Sequence, residues 1–310
     1  MQKTGIEYLT HTWNPIAMRC SKCSPGCDGC WHLRTADRLC KNPALPENER
    51  AALAGTGPFI LRERELSAPL RTKKPAVIGV QFMGDLFHEK VPSLFPHHVN
   101  VRMAQCEQHT FLMLTKRPRI LLERKIPPFD HVWHGLTICN QPEADEKIPI
   151  FLQVPGRKFL SIEPMLGPID LAECFTEPAS LALRYLSAFY NTPDGKFDPE
   201  GKGHQYNRRV KNPVPIVAVI LGGETGPGAR PMHPDWVRLV RDQCATAGVP
   251  FFFKGWGEWL HESQLFGSGI RLDWFNDHVA AGGFARAGSK HMTRRLDGRM
   301  HDELPWRTTA

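Results

Sequence analysis

The chain has 310 residues, 41% of them hydrophobic and 23% charged, which is typical of a globular protein and excludes a mini-domain or a globally disordered chain. No segment approaches the roughly 20 consecutive apolar residues of a membrane helix, and residues 1–10 lack the apolar core of a signal peptide, so we expect a cytoplasmic protein with no membrane partner. The formal net charge of +7 favours an anionic partner such as a nucleic acid or a nucleotide, although most of the small basic groups also fit a solvated surface.

Apolar runs alternate with helical patterns along the chain. Strands are predicted at 5–10, 76–83, 110–115, 132–138, 158–162, 215–221 and 249–254. Helices are predicted at 91–106, after Pro118, at 141–153 and at 234–247. In the last of these, Pro234 suits the first helical position and Gly248 the end.

Short strands that are apolar on both faces and separated by helices indicate parallel β/α units. Six or seven such units predict an α/β fold in the form of a closed or partial TIM-type barrel. An open doubly wound sheet is the alternative, which is disfavoured because no G-x-G-x-x-G sequence opens the first unit. We assign residues 1–260 to the barrel, with a turn-rich basic insertion at about 176–212, and residues 261–310 to a C-terminal extension in which Leu296-Asp297-Gly298-Arg299 indicates a hairpin.

Polar residues follow almost every predicted strand. Because the active site of a β/α barrel lies at the carboxyl ends of its strands, these residues are expected to converge on one rim. The ionisable ones are Asp85, Lys116, Glu163, Glu224, Lys254 and Glu258. Each also has a simpler interpretation, since Asp85 suits the cap of the next helix and Lys116 a solvated turn.

The segment 222–230, GGETGPGAR, follows an apolar strand. Its glycines, including Gly222 and Gly223, would allow backbone N–H groups to approach a phosphate or carboxylate of a cofactor. The segment lacks the Gly-Lys-Ser/Thr ending of a phosphate-binding loop. A plain glycine-rich turn therefore remains the alternative.

Four of the nine cysteines lie within eleven residues, in the sequence CSKCSPGCDGCW. They are Cys20, Cys23, Cys27 and Cys30. Thiolates are soft ligands that select zinc or iron–sulfur clusters. Zinc sites usually separate two C-x2-C pairs by about 15–20 residues, whereas the gap here is three residues, which favours a cluster held by one loop.

The spacing of Cys23, Cys27 and Cys30 resembles the C-x3-C-x2-C motif of radical S-adenosylmethionine enzymes. This resemblance implies a [4Fe–4S] cluster with three cysteine ligands and S-adenosylmethionine on the remaining iron. Such loops usually carry an aromatic residue just before the last cysteine, where this chain has Gly29. Trp31 lies on the other side of that cysteine, and we hypothesise that it contacts the cofactor.

A closer resemblance rests on seven ordered stretches. They are TWNPIAMRCSKCSPGCDGCW, MGDLFHEKVP, HTFLMLTKRP, HGLTICNQPEADEKIP, LSIEPMLGPIDL, LGGETGPGARPMHPDWVRLVRDQC and GVPFFFKGWGEW. Together they resemble a phage-associated, largely uncharacterised family of three-cysteine-motif proteins that also occurs in bacterial genomes. The resemblance implies a radical-SAM-like barrel and, if the chain is phage-encoded, a location in the bacterial host cell. The family's C-x6-C-x2-C pattern maps to Cys20, Cys27 and Cys30, so that either Cys20 or Cys23 is the third ligand.

The favoured hypothesis is a radical S-adenosylmethionine enzyme supplied by an electron donor protein, with a nucleic acid or nucleotide as substrate. Asp85 and Glu163 would hold the ribose or amino group of S-adenosylmethionine. Lys116, Arg117, Glu224 and Lys254 would face the substrate, and we count Glu163 with the catalytic groups as well. The alternatives are a zinc- or cluster-stabilised nucleic-acid-binding protein and a hydrolase that uses the carboxylates. The sequence predicts neither the reaction nor the oligomeric state.

Overall fold

The computed structural model describes residues 1–176, 215–265, 268–280, 282–288 and 293–306. Its strands in chain order are β1 Gln2–Lys3, β2 His11–Trp13, β3 Ile16–Ala17, β4 Ile60–Leu61, β5 Val77–Val80, β6 Thr110–Thr115, β7 Val132–Ile138, β8 Arg157–Ile162, β9 Ile216–Gly222, β10 Phe251–Gly255, β11 Trp259–His261, β12 Val279–Ala280, β13 Phe284–Arg286, β14 Arg295–Leu296 and β15 Arg299–Met300. Its helices are α1 Trp31–Leu39, α2 Glu47–Ala54, α3 Glu63–Leu66, α4 Leu94–Ala104, α5 Pro118–Arg124, α6 Gln141–Phe151, α7 Ala172–Thr176, α8 Pro234–Ala247 and α9 Leu272–His278. The predicted insertion, from residue 177 onward, lies outside the described residues.

An eight-stranded sheet organises the molecule, in the order β1-β2-β5-β6-β7-β8-β9-β10. Every neighbouring pair from β2 to β10 is parallel, and only β1 pairs antiparallel with β2. Helices α4, α5, α6 and α8 connect successive strands, so the predicted mixed α/β fold with a largely parallel sheet is confirmed. Between the described strands no pairing joins β10 to β1 or β2, and the TIM-type barrel stays a prediction.

The two ends of the sheet nevertheless approach each other. The rings of Tyr8, just before β2, and Phe252 in β10 meet edge to face with centroids 5.8 Å apart. The free edge of β10 is flanked by the C-terminal segment, where the Phe253 N–H donates to the His301 carbonyl at 2.9 Å. The sheet is therefore curled around its inner face.

Alternating side chains of the strands fill two separate cores. In β6, Phe111 belongs to the core under the helices, and Leu112 belongs to the inner core. The inner core also contains Trp133, Phe159 and Trp306. Because residues on both faces are buried, the strands have the continuous apolar sequences that indicate a parallel sheet.

The ends of α8 coincide with the predicted signals. Pro234 occupies the first turn, and Gly248 ends the helix in a left-handed conformation with φ +66°. The C-terminal hairpin is confirmed by the pairing of β14 with β15. Its turn residues Asp297 and Gly298 both have positive φ, as a tight two-residue turn requires.

The predicted first strand at 5–10 is wrong. These residues form turns, with the Leu9 N–H donating to the Ile6 carbonyl at 3.0 Å, and the strand begins at His11. The two buried residues of this segment, Tyr8 and Leu9, are consecutive and enter the inner core from a turn. The strand predicted at 76–83 ends early, at Val80, because Gln81 adopts a left-handed conformation.

None of the described helices is both long and apolar enough to cross a membrane.

Candidate functional site

A cavity of about 200 Å³ lies at the carboxyl ends of the parallel strands. Ten of the twelve predicted site residues line it. They are Cys20, Cys27, Cys30, Trp31, Asp85, Lys116, Glu163, Gly223, Glu224 and Lys254. The other two are outside this lining: Cys23 is exposed on the loop surface, and Gly222 packs behind Lys254, whose Cβ is 3.3 Å from where a side chain at 222 would start.

The cysteine loop has a defined conformation between β3 and α1. Ser24 caps a short 3₁₀ turn, and its hydroxyl accepts from the Gly26 N–H at 3.2 Å. Cys30 stands at the N-cap position of α1, which begins at Trp31. The Pro-Gly bend thereby turns the loop back over the cavity, where three of its four cysteines face the same space.

The thiols divide into two environments. Burial raises the pKa of Cys20 to about 12, against the opposing guanidinium of Arg117, whose Nη1 lies 3.8 Å from the Cys20 Sγ. The interaction between the neighbouring thiols of Cys23 and Cys27 lowers the pKa of Cys27 and raises that of Cys23. Lys116 adds to the lowering at Cys27.

Four thiols on one loop fit, by their donor chemistry, a thiolate-bound metal or cluster. Three of them line one cavity and are the residues that would hold such a group. Across the described ranges, no three His, Cys, Asp or Glu side chains are grouped to hold a single metal ion.

Asp85 is buried and already saturated with donors. Its carboxylate accepts from the Phe87 N–H at 2.9 Å, the Thr115 hydroxyl at 2.9 Å, the Lys116 N–H at 3.1 Å and the Arg117 Nη1 at 3.2 Å. These bonds join the ends of β5 and β6. Its predicted contact with the cofactor stays a prediction, and the structure places it beneath Arg117.

Glu224 connects the glycine-rich turn to the cysteine loop. Burial raises the pKa of this carboxyl, but hydrogen bonds from Arg230 outweigh burial and lower it overall. The Arg230 side chain also donates to the Pro25 carbonyl at 3.0 Å. The Glu224 Oε1 would lie 2.5 Å from a Cβ on Gly29, which explains why glycine stands where an aromatic residue was expected.

Glu163 and Lys254 form an ion pair across the cavity, from the ends of β8 and β10. Burial disfavours the charge on Lys254, but the Glu163 carboxylate outweighs it and raises the lysine pKa. Burial, together with Glu163, also raises the pKa of Tyr8. The ammonium of Lys116, in contrast, makes no hydrogen bond or ion pair with any described residue, although it is half-buried in the cavity.

Several N–H groups of the turn at 222–230 donate to partners within the protein. Gly223 donates to the Gly255 carbonyl at 2.9 Å, Gly226 to Glu258 at 2.9 Å, and Arg230 to Glu224 at 2.9 Å. A Cβ on Gly223 would lie 2.0 Å from the Trp256 carbonyl, so close backbone packing requires glycine there. The packing at Gly223 and these hydrogen bonds favour the interpretation of the segment as a glycine-rich turn. The bond from Gly226 places Glu258 beside the turn, and Glu258 does not line the cavity.

A buried network behind the loop was not predicted. Glu143 accepts from the Cys139 N–H and thiol, both at 2.9 Å, and pairs with Lys147. The Cys139 thiol lies 3.6 Å from the hydroxyl of Ser24 in the cysteine loop. The only sequence signal was the i,i+4 spacing of Glu143 and Lys147 on a helix, which usually marks a solvated face.

The fold and the cavity define an α/β protein with an ionisable, thiol-containing site at the carboxyl edge of a largely parallel sheet. Residues 3–305 match a family described as a protein of unknown function, DUF5131. The match covers nearly the whole chain, which therefore belongs to that family. No curated protein and no solved structure matches the chain.

Proposed function

We propose that the protein is a radical S-adenosylmethionine-type enzyme that binds a [4Fe–4S] cluster through its cysteine loop. One observation carries the proposal: Cys20, Cys27 and Cys30 line the same cavity as the charged residues at the ends of five parallel strands. When bound, the cluster would supply the electron for reductive cleavage of S-adenosylmethionine.

The third ligand in this proposal is Cys20 rather than Cys23. Cys20 lines the cavity, whereas Cys23 is exposed and lies outside the lining. Cys23 would then act on Cys27 as a neighbouring thiol that lowers its pKa. Leaving Cys23 outside the ligand set also keeps one iron open for S-adenosylmethionine.

The proposed substrate is anionic and belongs to the nucleotide or nucleic-acid class. Glu163, Glu224 and Asp85 each have a cationic partner, and Lys116 is the cavity cation that pairs with no described residue. A phosphate is a suitable counter-ion for such an ammonium. Trp31, which is 47% exposed at the cavity, offers a face for stacking a base.

The proposal is tested on protein purified without oxygen. We expect about four irons and four sulfides per chain, a visible absorption band that bleaches on reduction, and an altered electron paramagnetic resonance spectrum after S-adenosylmethionine is added. Stoichiometric zinc with no sulfide and no response to S-adenosylmethionine would sink the proposal and support the nucleic-acid-binding alternative.

The ligand assignment is tested by single Cys20→Ala and Cys23→Ala variants. We expect the Cys20 variant to lose most of its iron and sulfide, and the Cys23 variant to retain them. Cys174→Ala is a matched control, because that thiol is buried in the core between α7 and α8. Iron loss in the Cys23 variant alone would reverse the assignment.

A further inference from the structure

We infer that Arg117 is a positioning residue that hydrogen-bonds the sulfur of Cys20 and raises the reduction potential of the cluster. The inference rests on the proposed function, since it concerns the same cysteine loop. Sequence reasoning placed Arg117 toward the substrate. The structure instead buries it, with 7% of its surface exposed, under the first cysteine.

The guanidinium of Arg117 is held on every side. Its Nε donates to Glu89 at 2.7 Å, and its Nη1 donates to Asp85 at 3.2 Å. Its Nη2 donates to the Ser21 carbonyl at 3.2 Å and hydroxyl at 3.0 Å. This arrangement fixes the direction of the remaining N–H group, which points from Nη1 to the Cys20 Sγ at 3.8 Å.

A hydrogen bond to a ligand sulfur is expected to raise the reduction potential of a metal cluster. A donor to a ligand sulfur withdraws electron density from the sulfur, and hydrogen bonds to the sulfurs are among the factors that set the potential of an iron–sulfur cluster. The carboxylates of Asp85 and Glu89 offset part of the guanidinium charge, but they do not replace the N–H group directed at sulfur. Removing Arg117 should therefore make the cluster harder to reduce.

A second arginine provides the matched control. Arg230 also fastens the cysteine loop, through the Pro25 carbonyl, but its other side-chain hydrogen bonds go to Glu224 and not to a sulfur. If loop anchoring alone mattered, losing either arginine would have the same effect. Arg102 is a remote control, because its side chain bonds Gln105 on the surface.

The experiment compares Arg117→Met, Arg117→Lys, Arg230→Met and Arg102→Met with the unchanged protein, all purified without oxygen. Iron and sulfide content, the midpoint potential from a redox titration, and the Fe–S stretching frequencies from resonance Raman spectra are measured. We expect a more negative potential and shifted Fe–S frequencies in Arg117→Met and a smaller shift of both in Arg117→Lys. Arg230→Met, which leaves Glu224 without its counter-ion, should shift the potential less and leave the Fe–S frequencies unchanged, and Arg102→Met should change neither.

The outcomes separate the inference from the proposed function. An unchanged protein without a cluster would overturn both. A cluster whose potential and Fe–S frequencies are the same in the Arg117 variants would overturn the inference alone, as would an equal shift in Arg230→Met. If Arg117→Met does not fold, Arg117→Lys carries the test, because it keeps the positive charge and loses the fixed N–H geometry.

Discussion

The Lys158 side chain lies in the interior of the protein. The residue is near the start of β8, at the opposite end of the strand from the cavity. Its side chain is fully buried, and its Nζ donates to the Gly156 carbonyl at 3.3 Å. Burial lowers its pKa from the ordinary 10.5 to about 7. In the register of the sheet its partner on β7 is His134, which is also buried and has a pKa lowered to about 4 by burial and by Lys158.

The lowered pKa of Lys158 predicts that the protein becomes more stable as the pH rises above neutral. Because its folded-state pKa lies below the unfolded value, the unfolded chain binds more protons between pH of about 7 and 10.5, and the free energy of unfolding increases with pH in that window. We expect Lys158→Met to raise the free energy of unfolding by about 1–3 kcal/mol at pH 7 and to flatten the pH dependence above it. The measurement is urea denaturation at a series of pH values.

Lys74→Met is the control for this substitution, because Lys74 is exposed before β5. Its variant should retain the slope of the unchanged protein. A Lys158→Met variant that is less stable at pH 7, with the same slope as the unchanged protein, would show that Lys158 is charged and satisfied in the folded state.

Single residues at the site illustrate what a sequence can and cannot predict. The polar residues after each strand were expected to meet, because parallel strands place their carboxyl ends on one edge, and most of them do line one cavity. Their pairing was not predictable. Glu163 pairs with Lys254, 91 residues further along the chain, and Arg117 turns under the cysteine loop, because partner choice depends on how the strands curl and not on local pattern.

At the scale of the elements, prediction succeeded where the boundaries carry a physical signal. Strands β6 and β7 were predicted with their observed bounds, since each is an apolar run closed by polar residues. Helix α8 was also predicted correctly, because proline and glycine mark its ends. The strand predicted at 5–10 was wrong because apolar residues can also be buried from a turn, and only pairing with a neighbouring strand makes a strand.

The cysteine loop and the glycine-rich turn contact each other, and this contact requires glycine at position 29 of the loop. Gly29 is close to Glu224, and Gly26 is close to Pro164, whose Cδ would be 3.1 Å from a Cβ at position 26. Glycines in a metal-binding loop are commonly interpreted as giving freedom to the backbone. Here they also allow the loop to approach β8 and β9 closely, which brings thiols and carboxylates into one cavity.

At the scale of the whole molecule, the two ends of the chain complete the inner core. Tyr8 and Leu9 contribute from the N-terminal turn, and Leu304 and Trp306 from the C-terminal segment. Trp306 packs edge to face on Trp133 and Phe159, with centroids 4.9 and 5.2 Å apart. Residues 261–310 were predicted as an extension, yet their last described part packs against the same sheet that carries the site.

This arrangement predicts that Trp306 stabilises the whole sheet. Because the indole is 8% exposed and fills the inner core, we expect Trp306→Ala to lower the free energy of unfolding by about 3–5 kcal/mol. Trp306→Phe should lose much less, since it keeps an aromatic contact with Trp133. Urea denaturation followed by circular dichroism measures both.

Met300→Ala tests whether the loss is specific to the core. Met300 belongs to the same C-terminal segment but is 42% exposed, so its variant should stay within about 0.5 kcal/mol of the unchanged protein. If Trp306→Ala were as stable as Met300→Ala, the C-terminal segment would contribute nothing to the stability of the inner core. A large loss confined to Trp306 would instead mean that the sheet, and with it the cavity at its carboxyl edge, depends on residues from both ends of the chain.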